Sequence, residues 1–467
     1  MPKASSIIKS KFPFDPTPSQ IRFFNALDHF FELKDIDKPT LLLKGYAGTG
    51  KTTIISALVN TLPLFNYKYV LIAPTGRAAK VMSNYAKKIA LTVHKKIYKQ
   101  TAEQGSEDFE FKLQKNYHHK TLFIIDEASM LTNDPGGGHG GLLNDIYQYV
   151  FQNDGNKVIF VGDNAQLPPV GKLESPALDA RFLQSVFGAT VVETELTEVM
   201  RQVEGSGILI NATNLRQQLA EKTVEIKFST QPFNDIFRMT GERLEDGLRY
   251  AYDKYGIENS IIICRSNKMA VQYNEYIRRQ IHFMDSELEV GDMLMIVRNN
   301  YVFQNDDTPG GFLANGDFME VLKVINFEEM YGCRFADLEV RMTDYDDHPN
   351  LQVKVMLDTL HSETPSLSNQ AYRELYEQVR EDYQDLSSKK ELKEALKKDP
   401  FLNALQVKFA YALTCHKSQG GQWQAVFVDQ GYLTDEMVNT EYLRWLYTAI
   451  TRASDQLFLV NFNNRFF

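Results

Sequence analysis

A short apolar strand, a glycine-rich loop and an apolar helix follow one another without interruption in residues 40–62. The strand TLLLK leads into GYAGTGKT at residues 45–52, and IISALVNTL follows. The loop has the spacing G-x-x-x-x-G-K-[ST], in which glycines let backbone amides turn towards phosphate oxygens at the start of a helix. Such a loop needs a buried strand before it and a packed helix after it. The segment therefore predicts a phosphate-binding domain of the α/β class.

Apolar runs typical of buried strands recur along the chain. The N-terminal half contains YVLIAP, TLFIID and KVIFVGD, and the C-terminal half contains SIIICR, AVFVDQ and QLFLVNF. Helical or polar segments separate these runs, which is typical of parallel sheets covered on both faces. We therefore predict two α/β domains, the first over residues 1–205 and the second over residues 206–290 and 404–467.

Two insertions interrupt the predicted domains. The segments ELEVGDMLMIVRN, GFLANGDFMEVLKVI and DLEVRMTDY alternate apolar and polar residues, which predicts antiparallel strands. We place a small β-barrel and charged helices at residues 291–403, where the stretch 366–398 contains neither Gly nor Pro. A smaller insertion at about residues 96–119 interrupts the first domain.

Charge and cysteine content exclude several classes of protein. A net charge of −9 argues against a protein that coats nucleic acid by bulk attraction, but the basic residues at 80–99 and the acidic ones at 374–385 are segregated, so a basic groove is compatible with it. No run approaches the roughly 18 apolar residues of a membrane span, and the N-terminus lacks the apolar core of a signal peptide. The three cysteines show no metal-ligand spacing. We expect a cytoplasmic protein without membrane contact, disulfide frame or zinc site.

The glycine loop and an acidic pair define a predicted site for ATP and Mg²⁺. Lys51 is expected to reach the β and γ phosphates, and Thr52 to supply a hydroxyl to magnesium. In IIDEASM an apolar strand ends at Asp126, the predicted magnesium ligand, and at Glu127, which would orient or deprotonate the attacking water. The other predicted nucleotide contacts in the loop are Gly45, Ala47, Gly48, Thr49, Gly50 and Thr53.

A glutamine upstream of the loop is a further nucleotide-binding candidate. Gln20 lies in PTPSQ, just before a helical stretch. Its amide can donate to and accept from the edge of an adenine at the same time. The alternative is an ordinary surface glutamine near a helix start, and the local sequence does not separate the two.

Further motifs follow in a fixed order. They are APTGRAAK (73–80), TVHK (92–95), DEAS (126–129), VGDNAQLPPV (161–170), ELTEVMRQ (195–202), LTCHKSQGGQW (413–423) and LYTAITRA (446–453). This set resembles the superfamily 1 helicases, and TVHK, GDNAQLPPV and HKSQG are similar to the 1B branch with its RecD-like, Dda-like and Pif-like DNA helicases. The resemblance covers roughly residues 16–460 and implies two RecA-like motor domains, with an SH3-like barrel inserted in the second.

The resemblance implies catalytic roles for three more residues. Gln166 would be the sensor that links the γ phosphate to the DNA-binding loops, while Arg201 and Arg452 would be arginine fingers from the far side of the cleft. Planar guanidinium groups suit this role because hydrolysis concentrates negative charge on the equatorial phosphate oxygens. The alternative for each arginine is a structural ion pair.

The resemblance also implies strand contacts on both domains. Thr75 and His94 on the first domain, and Thr414 and His416 on the second, match family positions that hold the backbone or bases of a single strand. Hydroxyls and imidazoles suit contacts that do not depend on base sequence. A structural role is the alternative for each histidine.

The insertion at residues 96–119 corresponds to the place where this family carries a strand-separating pin. Its aromatic residues would stack on the first base pair of a duplex, and a plain surface hairpin is the alternative. The candidates are Phe109, Phe111 and Tyr117.

Other features are less specific. Arg77 and Lys80 either add phosphate contacts near the strand or are solvated surface charges. Residues 421–423 are Gly-Gln-Trp where RecD-like members often carry an acidic residue, so a ribose contact at this place is in doubt. The run DPGGGHGG at residues 134–141 predicts a loop rather than a metal site.

We expect a DNA helicase that uses ATP and Mg²⁺, moves 5′ to 3′ on single-stranded DNA and opens duplexes at single-strand/duplex junctions. The polarity follows from the resemblance alone. The chain begins about 44 residues before the glycine loop, so we expect it to act as a monomer. The alternatives are a strand-dependent ATPase or translocase subunit of a larger repair complex, an RNA helicase, and a nucleotide-switched clamp with negligible turnover.

Overall fold

A six-stranded parallel sheet forms the centre of the first domain. The computed structural model describes residues 3–33, 36–101, 110–134, 141–199, 205–221, 223–300, 313–343, 349–386 and 388–467. The strands of this domain are β1 (Pro39–Gly45), β2 (Lys68–Ala73), β3 (Ala90–Thr92), β4 (Tyr98–Thr101), β5 (Glu110–Leu113), β6 (Thr121–Ile125), β7 (Lys157–Gly162) and β8 (Thr190–Leu196). The sheet order is β3-β2-β6-β7-β1-β8. Because β6, β7 and β1 are adjacent and parallel, their C-terminal ends bring the acidic pair, the turn after residue 162 and the glycine loop together.

Helices cover both faces of this sheet. They are α1 (Ala4–Lys11), α2 (Pro18–Glu32), α3 (Lys51–Thr61), α4 (Gly76–Ala86), α5 (Val93–Ile97), α6 (Leu142–Val150) and α7 (Ala180–Phe187). Leu41 and Leu43 of β1 pack in the same core as Ile54 of α3, whereas Leu42 packs in the opposite core with Ile146 of α6. Alternating side chains of one strand thus enter two cores, which explains why β1 is apolar throughout.

A second parallel sheet and a closed barrel form the rest of the chain. The strands are β9 (Ile236–Met239), β10 (Ser260–Cys264), β11 (Met293–Ile296), β12 (Phe318–Met330), β13 (Cys333–Met342), β14 (Leu351–Met356), β15 (Leu405–Phe409), β16 (Ala412–Thr414), β17 (Trp423–Asp429) and β18 (Ala453–Val460). The helices are α8 (Gly207–Glu221), α9 (Leu244–Tyr255), α10 (Asn267–Tyr276), α11 (Asn369–Glu381), α12 (Lys389–Lys398), α13 (Cys415–Ser418) and α14 (Thr440–Ile450). The second sheet has the order β16-β10-β17-β18-β9, and all its neighbouring strands are parallel.

The inserted barrel consists of β11, β12, β13, β14 and β15. Only the β14–β15 pair is parallel. Helices α11 and α12 bury Leu375, Val379 and Leu396 against Phe335 and Met356 of the barrel, so these charged helices are solvated on one face only. The predicted fold class, two parallel-sheet domains with a barrel insertion, is confirmed. The last barrel strand lies beyond residue 403, inside the segment that the sequence assigned to the second α/β domain.

Buried polar contacts hold the barrel to the second domain. Arg278, just after α10, forms a buried ion pair with Asp292, with Nε 2.7 Å from Oδ1. The hydroxyl of Tyr411 donates to the same carboxylate at 3.0 Å. Asn274 of α10 donates to the carbonyl of Phe409 at 3.1 Å. The entry and exit of the insertion are therefore fixed to one helix.

The insertion of the first domain contains an antiparallel hairpin of β4 and β5. Its register pairs Tyr98 with Leu113 and Thr101 with Glu110. Phe109 lies outside the described residues, as does the side chain of Phe111, while Tyr117 is 76% exposed. Among the described helices, none is long and apolar enough to cross a membrane.

Candidate functional site

The glycine loop turns tightly above the start of α3. Gly48 and Gly50 have φ values of +76° and +85°, which only glycine adopts without strain. Lys51 begins α3, and its Nζ donates to the carbonyls of Gly45 at 2.7 Å and Tyr46 at 2.9 Å. The ammonium group therefore lies over the loop, in the place where a phosphate-binding loop holds its lysine.

The helix before the loop is tied to it by Gln20. The side-chain oxygen of Gln20 accepts from the amide of Thr17 at 3.0 Å, which completes a capping box at the start of α2. The side-chain nitrogen donates to the carbonyl of Thr49 at 3.1 Å. Gln20 is fully buried, so it is not the exposed surface glutamine of the alternative interpretation. The predicted adenine contact would have to use the remaining lone pair and N–H of this amide.

The acidic pair lies at the end of β6, next to the loop. Asp126 accepts from the hydroxyl of Tyr85 at 2.6 Å and from the amide of Glu127 at 2.8 Å. Each carboxylate oxygen keeps a free lone pair for a metal ion. Thr52, the other predicted magnesium ligand, is exposed in the first turn of α3. Carboxylate and hydroxyl oxygens are ligands that suit Mg²⁺, so these residues fit the ion.

Glu127 is held in an unusual environment. Its backbone is left-handed, with φ +50°, and among the described residues its Oε2 atom has no hydrogen-bond partner. Burial raises the pKa of this carboxyl above its ordinary value, and the nearby charge of Arg452 opposes the increase. A more basic carboxylate in a buried, strained position is typical of a general base.

The second domain contacts the turn after β7 through α14. The amide of Leu167 donates to the hydroxyl of Thr448 at 2.8 Å, and Gln419 donates to the carbonyl of Leu167 at 2.7 Å. Arg444 donates to the carbonyl of Gln166 at 3.2 Å. The side chain of Gln166 is buried, and its oxygen has no partner in the described part of the chain. An amide with free hydrogen-bonding capacity therefore lies between the two domains.

One of the two predicted arginine fingers can be placed. Arg452 follows α14 and is 4% exposed, with Nε 3.1 Å from the carbonyl of Thr448 and Nη1 3.2 Å from that of Gly421. The positive charge of Arg452 lowers the pKa of Glu127 against the effect of burial, so the guanidinium acts electrostatically on this carboxyl. Arg201 lies outside the described residues. Its neighbour in sequence, Val199, packs on the glycine loop, because a Cβ built on Gly48 would lie 3.3 Å from Val199 Cγ1.

Three of the four predicted strand-contact residues, Thr75, Thr414 and His416, lie on two segments that touch. Thr75 caps α4 by accepting from Ala78 at 3.2 Å. A Cβ built on Gly420 of the second domain would lie 3.2 Å from the Thr75 hydroxyl oxygen, so the segments that carry Thr75 and residues 413–423 touch. Thr414 and His416, at the start of α13, are half-buried.

Both predicted strand-contact histidines are neutral at physiological pH. Burial lowers the pKa of His94 to about 4, and the ring lies 5.6 Å from that of Tyr98. Burial also lowers the pKa of His416, against the opposing charge of Glu441. Contacts with a strand would therefore use hydrogen bonds or stacking, not charge.

Arg77 and Lys80 are not solvated surface charges. The Arg77 guanidinium carbon lies 4.4 Å from the ring centre of Trp423 in the second domain and 4.9 Å from that of Phe318 in the barrel. Lys80 donates to the carbonyl of Thr343 at the end of β13. Both cations therefore connect the first domain to other parts of the chain instead of lying free on the surface.

Two family models match the chain. Residues 34–229 match an AAA domain, and residues 409–460 match a UvrD-like helicase C-terminal domain. The first match contains the loop, the acidic pair and Gln166, and the second contains the strand-contact segment and Arg452. The chain therefore contains an AAA domain followed by a UvrD-like helicase C-terminal domain.

Relatives with different names match the chain over different shares of its length. Uncharacterized protein R530 of Acanthamoeba polyphaga mimivirus is 26% identical, over 89% of this chain and 94% of its own length. The ATP-dependent DNA helicase dda of Enterobacteria phage T4 is 28% identical over 60% of this chain and 61% of the phage protein. The ATP-dependent RecD2 DNA helicase of Deinococcus radiodurans is 28% identical over 38% of this chain and 21% of its own length. The matches thus cover less than two thirds of both named helicases.

Solved Pif1 helicases are similar to this chain over most of its length. A structure of two coordinating Pif1 helicases at forked duplex DNA covers 94% of this chain and 92% of its own, at 17% identity and a TM-score of 0.48. Pif1 from Bacteroides with ADP-AlF3 and single-stranded DNA covers 96% and 93%, at 18% identity and a TM-score of 0.41.

Several contacts at the candidate site between the two domains were not predicted from the sequence. Tyr85 holds Asp126, and Tyr447 of α14 reaches the glycine loop. The ring of Trp423 forms a cation–π contact with Arg77. Only Trp423 gave a signal, as a departure from the family pattern, because the others depend on which helix faces which loop.

Proposed function

We propose that this protein is an ATP-dependent DNA helicase that moves 5′ to 3′ on single-stranded DNA and opens duplexes at single-strand/duplex junctions. The observation that carries the proposal is the composite cleft. The first domain supplies the glycine loop, Glu127 and Gln166, and the second supplies α14, which bonds to the turn that carries Gln166, and Arg452, whose charge acts on Glu127. A nucleotide in this cleft contacts both domains, so its hydrolysis changes how they fit together.

The hydrolytic chemistry follows from the residues of the cleft. Lys51 and the loop amides bind the phosphates, and Thr52 and Asp126 hold Mg²⁺, which neutralises phosphate charge when bound. Glu127, with its raised pKa, accepts a proton from the attacking water. Arg452 stabilises the negative charge that develops on the transferred phosphoryl group.

Movement along the strand requires two gripping surfaces. Thr75 and His94 form one on the first domain, and Thr414 and His416 form the other on the second. Gln419 belongs to the second segment and bonds directly to the turn that carries Gln166. The nucleotide site and the second gripping surface are therefore one hydrogen bond apart.

DNA as substrate is supported by relatives, since dda and RecD2 are named ATP-dependent DNA helicases. The polarity rests on the resemblance to the 1B branch. We propose that the protein works as a monomer, because the described cleft is completed within one chain.

The test is unwinding of duplexes with a single-stranded tail at either end, made of DNA or RNA. ATP and Mg²⁺ should drive unwinding from a 5′ DNA tail. Equal or faster unwinding from a 3′ tail contradicts the polarity, and preference for RNA contradicts the substrate. Hydrolysis on single strands without unwinding would identify a translocase subunit instead.

The Lys51→Ala variant tests the nucleotide site in the same assay. It should lower hydrolysis by at least about a hundredfold, because an electrostatic contact to the transferred group is lost. Circular dichroism should remain unchanged, since among the described residues the hydrogen bonds of the Lys51 ammonium go to its own loop. Retained hydrolysis would refute the assignment.

The Tyr117→Ala variant tests the pin. Tyr117 is 76% exposed, so its loss should leave the fold intact. Unwinding should slow while hydrolysis on single strands is retained. Phe283→Ala, which removes a 73% exposed aromatic residue from the second domain, is the matched control. Unchanged unwinding by the Tyr117→Ala variant would show that Tyr117 is not part of the strand-separating pin.

A further inference from the structure

The hydroxyl of Tyr447 lies between the glycine loop and the turn after β7. It accepts a hydrogen bond from the backbone amide of Ala47 at 2.9 Å and donates one to Asp163 Oδ2 at 2.6 Å. Tyr447 and Asp163 are each 1% exposed. One side chain of the second domain thus contacts two separate loops of the first.

The chemistry of this contact is specific to a phenol. Burial and the carboxylate of Asp163 raise the pKa of Tyr447 well above its ordinary value, so the hydroxyl stays protonated. Only a protonated hydroxyl can donate to Asp163 while accepting from Ala47. The other oxygen of Asp163 accepts from Ala165 at 2.9 Å, which fixes the carboxylate within its own turn.

The same helix continues this contact towards the strand-contact segment. Thr448, the next residue, accepts from the amide of Leu167 at 2.8 Å. The carbonyl of Leu167 accepts from Gln419 at 2.7 Å. The turn after β7 is therefore held at Asp163 by Tyr447 and at Leu167 by Thr448 and Gln419.

We propose that Tyr447 is a positioning residue that transmits the occupancy of the glycine loop to the strand-contact segment of the second domain. This inference rests on the proposed function and deepens it. The amide of Ala47 belongs to the loop whose amides bind phosphate, so a nucleotide phosphate changes the hydrogen bonding of that amide. Tyr447 then shifts, and because its other bond is to Asp163, the turn and Gln419 shift with it.

The test compares Tyr447→Phe with the natural chain. For each, the affinity for single-stranded DNA is measured without nucleotide and with a non-hydrolysable ATP analogue. The ratio of the two affinities measures the coupling between the sites. If nucleotide changes the DNA affinity of the natural chain by a given factor, that factor should be at least fivefold smaller in the Tyr447→Phe variant. DNA-stimulated kcat should fall about tenfold while KM for ATP changes less than twofold, because Lys51 and the loop remain.

Tyr442→Phe is the matched control. Tyr442 lies on the same helix and is 2% exposed, and its hydroxyl has no hydrogen-bond partner among the residues described. Its loss should change the affinity ratio and kcat less than twofold. If it reproduces the loss seen at Tyr447, packing of the helix is responsible and the proposal is overturned.

Asp163→Asn provides a second route, which also serves if the Tyr447 variant does not fold. A side-chain amide has a single oxygen and cannot accept from both Tyr447 and Ala165, so the affinity ratio should move closer to one here too. The double variant should be no worse than the stronger single one, because both remove the same hydrogen bond. Additive losses, or a Tyr447 variant with an unchanged ratio, overturn the proposal. A natural chain without DNA-stimulated hydrolysis would instead refute the proposed function.

Discussion

Glu127 provides the most demanding test of the electrostatic argument, because its replacement should make the protein more stable and inactive at once. Glu127 is half-buried as a residue, but its Oε2 atom is buried and has no hydrogen-bond partner in the described part of the chain. Glutamine keeps polar atoms at this place but removes the cost of burying a negative charge, and each tenfold weakening of acidity on folding corresponds to about 1.4 kcal/mol. The opposing charges of Arg452 and Lys51 recover part of that cost. We expect Glu127→Gln to raise the free energy of unfolding by about 1–2 kcal/mol, or the melting temperature by roughly 2–6 °C.

The stabilisation should depend on pH in a defined direction. The pKa of Glu127 is higher in the folded protein than the value of about 4.3 in an unfolded chain. Folding therefore disfavours the ionised form, and the penalty appears as pH rises above the unfolded value. The penalty becomes constant once the pH exceeds the pKa of Glu127 in the folded protein. The stability difference between Glu127→Gln and the natural chain should thus be small at acidic pH and largest at neutral pH.

The assay combines thermal unfolding across this pH range with DNA-stimulated ATP hydrolysis. Hydrolysis should fall by about 10²–10⁴-fold, the usual contribution of a general base. Glu174→Gln, at an exposed position of the same domain, is the control and should leave both properties nearly unchanged. A Glu127 variant that is less stable than the natural chain, or whose stability gain is the same at every pH, would refute the reasoning.

Three other perturbations have defined outcomes. Arg452→Lys keeps the charge but loses the planar fork, so DNA-stimulated turnover should fall by at least about a hundredfold while titration with a fluorescent nucleotide shows retained binding. Arg77→Ala removes contacts with two rings, worth about 1–2 kcal/mol, and should speed dissociation of labelled single-stranded DNA in stopped flow by about tenfold. Gln20→Ala breaks the capping box and the bond to the loop, so thermal unfolding should show a loss of about 1–3 kcal/mol. An unchanged rate or melting curve would contradict the respective contact.

The sheets were predictable because their signal is local. A strand such as TLFII in β6 is buried along its whole length, so its apolar run needs no knowledge of its partners. The barrel strands showed alternation for the same reason. Strand β15 was assigned to the wrong side of a boundary because QVKF continues into another apolar run, and only pairing with β11 reveals that it closes the barrel.

The contacts across the cleft were not predictable from the sequence. Gln166 and Arg452 were found through motifs, whereas Tyr447 meets Ala47 from 400 positions away along the chain. For Arg77 the sequence suggests a phosphate contact or a free surface charge. No local pattern indicates that Trp423 and Phe318 approach it. Likewise, the neutral state of His94 is set by burial, which the TVHK motif does not encode.

The entry and exit strands of the inserted barrel lie side by side, which affects how the insertion can change during evolution. Strands β11 and β15 pair directly, with Leu294 opposite Phe409 and Ile296 opposite Val407. Paired strands are only about 5 Å apart, so the chain leaves the second domain and returns to it at nearly one point. A closed barrel attached in this way is a cassette. It can be enlarged, shortened or exchanged without moving the strands of the parent sheet, provided that the buried Arg278–Asp292 ion pair at its entry is kept.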